Sequence, residues 1–220
     1  MLQAEARLRE ELGDTDEAMQ LLQKAWEKMP RGSGVAMRLA RKYVERDDPN
    51  RALQTLEEAI TRNPRDRSLN LMIANIMFAQ SKDVNDPRAK SYLVASFVDG
   101  DREHWGRFLR AAHAYATGDF TESERLFEDL ERRAPQSFRP QLSRDQEWLT
   151  KALFSRQGRV AKSFGSYFLI TPEAGPDSLY APERASDPEI WETLSVRSSV
   201  RFNIDFGRKG PFARDVRPAH

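Results

Sequence analysis

Cysteine is absent from this 220-residue chain, which excludes disulfides and thiolate metal sites and fits a reducing compartment. Histidine is scarce. The three, His104, His113 and His220, are too few and too scattered for a metal cluster or a Ser–His dyad. His104 and His113 fall in one predicted helix about two and a half turns apart, too far to share a ligand. No apolar run approaches the ~18 residues needed to cross a membrane. The opening Met1-Leu2-Gln3-Ala4-Glu5 is too polar for a signal peptide, so a cytoplasmic location without a membrane partner is the expectation. An excess of one charge is also lacking: 35 Lys+Arg stand against 34 Asp+Glu, and the global basic surface of a dedicated duplex-DNA binder is missing. No G-x-x-x-x-G-K-[ST] phosphate loop and no G-x-S-x-G elbow occur. Acidic pairs such as Glu10-Glu11 and Glu57-Glu58 read as solvated helix faces rather than acid/base machinery. The expectation is a segment that is not an enzyme and takes no metal or cofactor.

What the chain has is self-similarity. Ala6 and Ala40, Ala18 and Ala52, Leu22 and Leu56, Ala25 and Ala59, and Pro30 and Pro64 are each 34 residues apart, and Ala74 continues the step from Ala40. An insertion near residues 81–86 lengthens the third unit to 37, after which Ala89, Leu93, Ala111, Ser123, Phe127 and Pro135 return to register. Each unit reads as two helices. Turns are marked by Gly13-Asp14, Asp47-Asp48-Pro49 and Gly118-Asp119, and proline ends the second helix because it lacks the donor for an i→i−4 bond. A 34-residue helix–turn–helix period with this Ala, Gly-Asp and Pro pattern resembles the tetratricopeptide repeat family, over residues 1–135 as four repeats. The third unit departs from it, carrying the insertion and Asp101 where the closing proline belongs.

The resemblance implies a superhelix whose concave face, lined by the first helix of each pair, binds a peptide or a partner helix. Placed on the family pattern, Met37, Arg41, Leu71, Asn75, Phe78, Trp105, Phe108 and Tyr115 lie near that face as the candidate protein-binding groove. The competing reading is that several of them fill the core between repeats. The first repeat begins abruptly at Met1 without a capping helix, which points to a piece of a longer protein with covalently linked upstream domains, or to a partner covering that end. Within the linker at 136–155, Leu142, Trp148, Leu149, Ala152 and Leu153 have the spacing of one more amphipathic helix, expected to cap the array.

From Gly158 the period changes. Val200, Phe202, Ile204 and Phe206 alternate with Arg201, Asn203 and Asp205, as in a strand with one buried face. Shorter strands are expected at 159–163, 167–171 and 178–181, and a fifth at 212–216 after a turn at 207–211. Five short strands in this length predict a small antiparallel β-barrel over 156–220, so the fold class is α and β in separate domains. The order G-R-V, S-Y-F-L-I-T, D-S-L-Y, W-E-T-L, V-R-F-N-I, G-R-K-G-P-F-A-R-D-V resembles a cold-shock domain of the OB fold, most clearly in its closing strand and turn.

That resemblance implies binding of single-stranded RNA or DNA, with bases stacked on aromatics of the second and third strands. It carries over Tyr167 and Tyr180 as stacking platforms, Trp191 as the aromatic of the long loop before the fourth strand, Lys209 as a basic residue near the site, and Lys162 and Arg208 as phosphate neighbours. Phe168 should point inward with Ile170. Leu169 replaces an expected aromatic, Pro182 an expected His, and Lys162 an expected Trp. Residues 156–220 hold ten Lys+Arg against eight Asp+Glu, a surplus that gives little counterion release. Three readings follow: repeats that bind a protein with a barrel that binds a single strand, a scaffold or sensor segment of a larger effector whose modules both bind protein, and a barrel folded back on the repeats as a lid.

Overall fold

The computed structural model describes residues 2–30, 32–143, 146–175 and 178–219; Met1 and His220 lie outside them. The chain forms two compact units, one of Met1–Lys82 with Asp86–Val98 and the other of Asp83–Asn85 with Asp99–His220. Compactness therefore divides the helical region differently from the repeat register: three helix pairs make the first unit, and the fourth shares a unit with the barrel.

The first unit contains α1 (Leu2–Glu11), α2 (Thr15–Lys28), α3 (Ser33–Glu45), α4 (Pro49–Arg62), α5 (Arg67–Ser81) and α6 (Pro87–Ala95), packed as successive hairpins. Nine of the recurring positions have no exposure: Ala6, Ala40 and Ala74 on the first helices, and Ala18, Ala52, Ala89, Leu22, Leu56 and Leu93 on the second. A methyl group at the crossing lets two helices approach closely, and the leucine fills the space beside it. The turns use left-handed backbone, with φ of 84° at Gly13 and 59° at Asp47. Aspartates start the next helices. Asp48 accepts from the Arg51 amide, Asp66 from Leu69, and Asp86 from Arg88 and Ala89. Pro49 and Pro87 occupy first turns, where no amide is needed.

The second unit opens with α7 (His104–Ala116) and α8 (Phe120–Arg133). Ser123 stands where alanine stands in the other repeats, and its hydroxyl donates to the Ala111 carbonyl at 2.9 Å, so the small-residue contact is kept. The inserted segment Asp83–Asn85 belongs here: His113 Nε2 lies 2.8 Å from the Val84 carbonyl. Arg110 Nη1 lies 3.1 Å from His113 Nδ1, and a guanidinium only donates, so Nδ1 accepts and Nε2 carries the hydrogen. Asp101, the residue in place of the repeat's closing proline, pairs with the fully buried Arg107 at 3.2 Å, while Asp129 approaches Arg107 Nε at 3.1 Å. The short α9 (Glu147–Ala152) packs on α7 and buries Trp148 and Leu149.

Five strands follow: β1 (Arg156–Ser163), β2 (Tyr167–Pro172), β3 (Leu179–Pro182), β4 (Ser199–Gly207) and β5 (Gly210–Pro218). They close into a barrel in the order β1-β2-β3-β5-β4. The expectation of a wholly antiparallel barrel is corrected at one seam, because β3 and β5 run parallel, with Tyr180 opposite Phe212. Val160, Phe168, Ile170, Leu179, Ala181, Val200, Phe202, Ile204, Ala213 and Val216 are buried along the strands. Gly158 sits where β1 is pinned on both sides, opposite Pro172 and Val200, and a Cβ there would lie 2.5 Å from the Thr171 carbonyl oxygen. Asn203, buried in β4, accepts from the Ser155 amide and donates to Asp215, tying the entry of the barrel to β5. Short α10 (Pro188–Trp191) carries Trp191 against Phe168, ring centroids 4.0 Å apart.

The barrel is docked on the last helix pair. Phe206, near the end of β4, stacks on Phe127 of α8 at 5.8 Å and 12° and meets Phe108 and Tyr115 of α7 edge-on. From the β4–β5 turn, Arg208 donates to the Glu131 carbonyl and Lys209 pairs with the Glu131 carboxylate at 2.9 Å.

Candidate functional site

The β1–β2 turn is tight: the Phe164 amide donates to the Tyr167 carbonyl, and Gly165 supplies a φ of 74° between them. This turn brings Phe164 onto Tyr167, centroids 4.7 Å apart and planes inclined by 12°. Tyr167 in turn contacts Tyr180 across the β2–β3 pair at 5.1 Å and 46°. Phe164 remains 49% exposed and Tyr180 44%. Three aromatic rings thus form a row on the barrel's outer face, and the half-buried Phe212 extends its register on β5. Phe168 and Ile170, alternating with Tyr167 and Leu169, point inward as the β2 pattern implied. Lys162 is exposed opposite Leu169 at the edge of the row.

The row differs from the sequence expectation in three places. Phe164 was missed. A bulge in β1 between Val160 and Lys162 adds a residue, and the register counted straight from Val160 puts the wrong residues beside β2. Trp191 is corrected: it is 5% exposed and stacked on Phe168, so it closes the barrel core and presents no face to a base. Arg208 and Lys209 are exposed enough to meet a ligand but are already bound to Glu131, and the Lys209 ammonium holds the Glu131 carboxyl below the usual carboxylate range.

The groove residues divide in the same way. In the first unit Met37, Arg41, Leu71 and Asn75 keep partial exposure on α3 and α5, whereas Phe78 is fully buried and is core. The Asn75 Oδ1 is buried and has no hydrogen-bond partner among the described residues. In the second unit Trp105 is half-buried against Phe108 at 5.3 Å. Phe108 and Tyr115 are corrected from groove to core, since Phe206 of the barrel covers them. The Tyr115 hydroxyl has no partner among the described residues, and burial pushes its pKa up to about 12 despite the opposing pull of Arg156.

Among known proteins, the family model for the tetratricopeptide repeat matches residues 10–76. No curated protein sequence matches the chain. A tetratricopeptide repeat protein from Parabacteroides merdae aligns with a TM-score of 0.50 at 16% identity, over 69% of this chain and 56% of that one. MamA aligns at 0.49 with 14% identity, over 67% of this chain and 81% of its own. A thermophilic TPR protein in Thermus thermophilus aligns at 0.48 with 21% identity, over 69% of this chain and 79% of its own. Residues 10–76 of the helical region match the tetratricopeptide repeat, and a closed five-stranded barrel follows that region.

Proposed function

We propose that this chain is a non-catalytic binding scaffold in which the repeats take a protein or peptide partner and the barrel, of the cold-shock-like OB type, holds single-stranded RNA or DNA. The observation that carries the second half is the row Phe164–Tyr167–Tyr180, with Phe164 of the β1–β2 turn stacked on Tyr167, Tyr167 tilted against Tyr180, and Phe164 and Tyr180 open to solvent. The closed order β1-β2-β3-β5-β4 with its parallel seam supports the OB reading, in which that same face receives the ligand. Each stacked base is worth ~1–3 kcal/mol, so two or three platforms, less the cost of association, support modest affinity with little base preference. On the repeats, Met37, Arg41 and Leu71 offer mixed apolar and cationic contacts to a peptide.

Titration of the full chain with a labelled single-stranded RNA at two salt concentrations tests the barrel. Salt-sensitive binding that drops at least ~10-fold in the Tyr167→Ala/Tyr180→Ala double variant is expected, from the loss of two stacking platforms. An unchanged double variant sinks the reading. The second reading, in which both modules recognise protein within a larger effector, draws on the capture of Arg208 and Lys209 by Glu131, which leaves fewer cations for phosphates. Under it, the wild type shows no salt-sensitive RNA binding at all.

A further inference from the structure

A cleft of about 450 Å3 opens in the second unit between the segment after α8 and the barrel. Four cations line it, Arg139 from the segment, Arg184 from the turn after β3, and Arg208 and Lys209 from the β4–β5 turn, with Phe138 as an apolar wall. Among the described residues no acid lines it. Glu131 beside it satisfies Lys209, and its backbone carbonyl takes one Arg208 donor. Arg139 is held by the carbonyls of Gln136 and Phe138, which fix the guanidinium without neutralising it. Arg184 has no hydrogen bond or ion pair among the described residues. One carboxylate therefore faces four cations. Each guanidinium carries five donors, so Arg139, Arg184 and Arg208 retain donors for an incoming oxyanion.

The position of the cleft relative to the aromatic row gives it a role. β5 leaves the Gly207–Gly210 turn and reaches Phe212 two residues later, and Phe212 is the register partner of Tyr180. The cationic turn and the row of rings are thus joined by about 7 Å of one strand. We infer that the cleft is a phosphate-binding site that receives the backbone of the strand whose bases stack on Phe164, Tyr167 and Tyr180. This rests on the single-strand reading above and extends it: the path runs off the barrel face and onto the segment that follows the last repeat, so the helical half contributes Arg139 and Phe138 to recognition.

The full chain, wild type and the Arg139→Gln/Arg184→Gln double variant, is titrated with a trinucleotide and with a longer single strand across a salt series. For the longer strand, the magnitude of the log–log salt slope should fall by ~1.4 on loss of two phosphate contacts. Binding of the trinucleotide, which spans only the rings, should stay within ~2-fold, since no stacking platform has changed. An unchanged slope for the longer strand overturns the cleft assignment while leaving the aromatic face intact. Loss of binding in Arg139→Gln/Arg184→Gln but not in Tyr167→Ala/Tyr180→Ala overturns the aromatic reading instead. Inorganic pyrophosphate, followed by amide shifts at Arg184 and residues 207–209, separates the last case. Shifts there in a wild type that binds no oligonucleotide would assign the cleft to a free phosphate compound and overturn the strand path.

Discussion

Tyr115 buries a hydroxyl that finds no hydrogen-bond partner among the described residues, inside a cluster with Phe120 and Phe206. An unpaired buried hydroxyl costs ~1–3 kcal/mol of desolvation, so Tyr115→Phe should be at least as stable as the wild type at neutral pH. Its pKa gives a second handle. The ionised form is disfavoured in the fold, so the stability carried by the neutral phenol is complete below pH 10 and is lost as pH rises from 10 toward about 12. Allowing for screening, the loss is up to ~2 kcal/mol. Denaturant melts at neutral and high pH should show the gap between Tyr115→Phe and wild type widening upward, and a constant gap would refute the assignment. Arg107 is the opposite case, a fully buried cation between Asp101 and Asp129. Arg107→Met takes the buried cation away from two carboxylates, Asp101, which keeps the Glu103 amide, and Asp129, which keeps Arg132 and Arg133, and should cost ~3–5 kcal/mol by chemical denaturation. Asp101→Asn, which leaves the Asp129 contact, should cost less than half of that.

At the scale of elements, the repeat was legible because its signal lies in positions where size is decisive. Ala6, Ala40, Ala74 and Ala111 recur since any larger side chain would push two helices apart, and all four have no exposure. The turns were legible through Gly13, Asp47 and Gly118, each with positive φ. The strands were legible by alternation, and β4 shows it most plainly. Phe108, Tyr115, Arg208 and Lys209 were misassigned for one reason: what decides their role lies far along the chain. Phe108 and Tyr115 occupy groove positions of a helical repeat, and only the arrival of Phe206 makes them core. Lys209 and Arg208 read as free cations because Glu131 is more than seventy residues away. Phe164 was hidden by one bulged residue. Gly158 tests the barrel element directly. A methyl there meets the Thr171 carbonyl and the Pro172 backbone, neither of which is a flexible end, so Gly158→Ala should lose ~1–3 kcal/mol. Gly207→Ala, where a Cβ meets nothing within 4 Å, is the matched control and should change stability by less than ~0.5 kcal/mol.

On the scale of the whole molecule, the chain holds two architectures, but the second compact unit joins the last helix pair to the barrel rather than separating them. Residues 136–155 read as a capping helix and linker in sequence. In the structure, Leu153 is buried, its carbonyl accepts from the Ile204 amide, and the Ser155 amide is held by Asn203, so the junction is tied to β4 on both sides. The aromatic contact of Phe206 with Phe108, Tyr115 and Phe127 then makes one core out of helices and strands. A shared core predicts shared cooperativity. Phe206→Ala removes the ring on which both halves meet and should cost ~3–5 kcal/mol. The loss should appear in both places, as faster hydrogen exchange in α7 and α8 as well as in β4 and β5. If exchange rises only in the strands, the barrel is a separate folding unit that merely touches the helices, and protease should release it at 154–158. If it rises in both, a ligand that orders the barrel face also stabilises the last repeat, and binding on one half is reported to the other through a single buried ring.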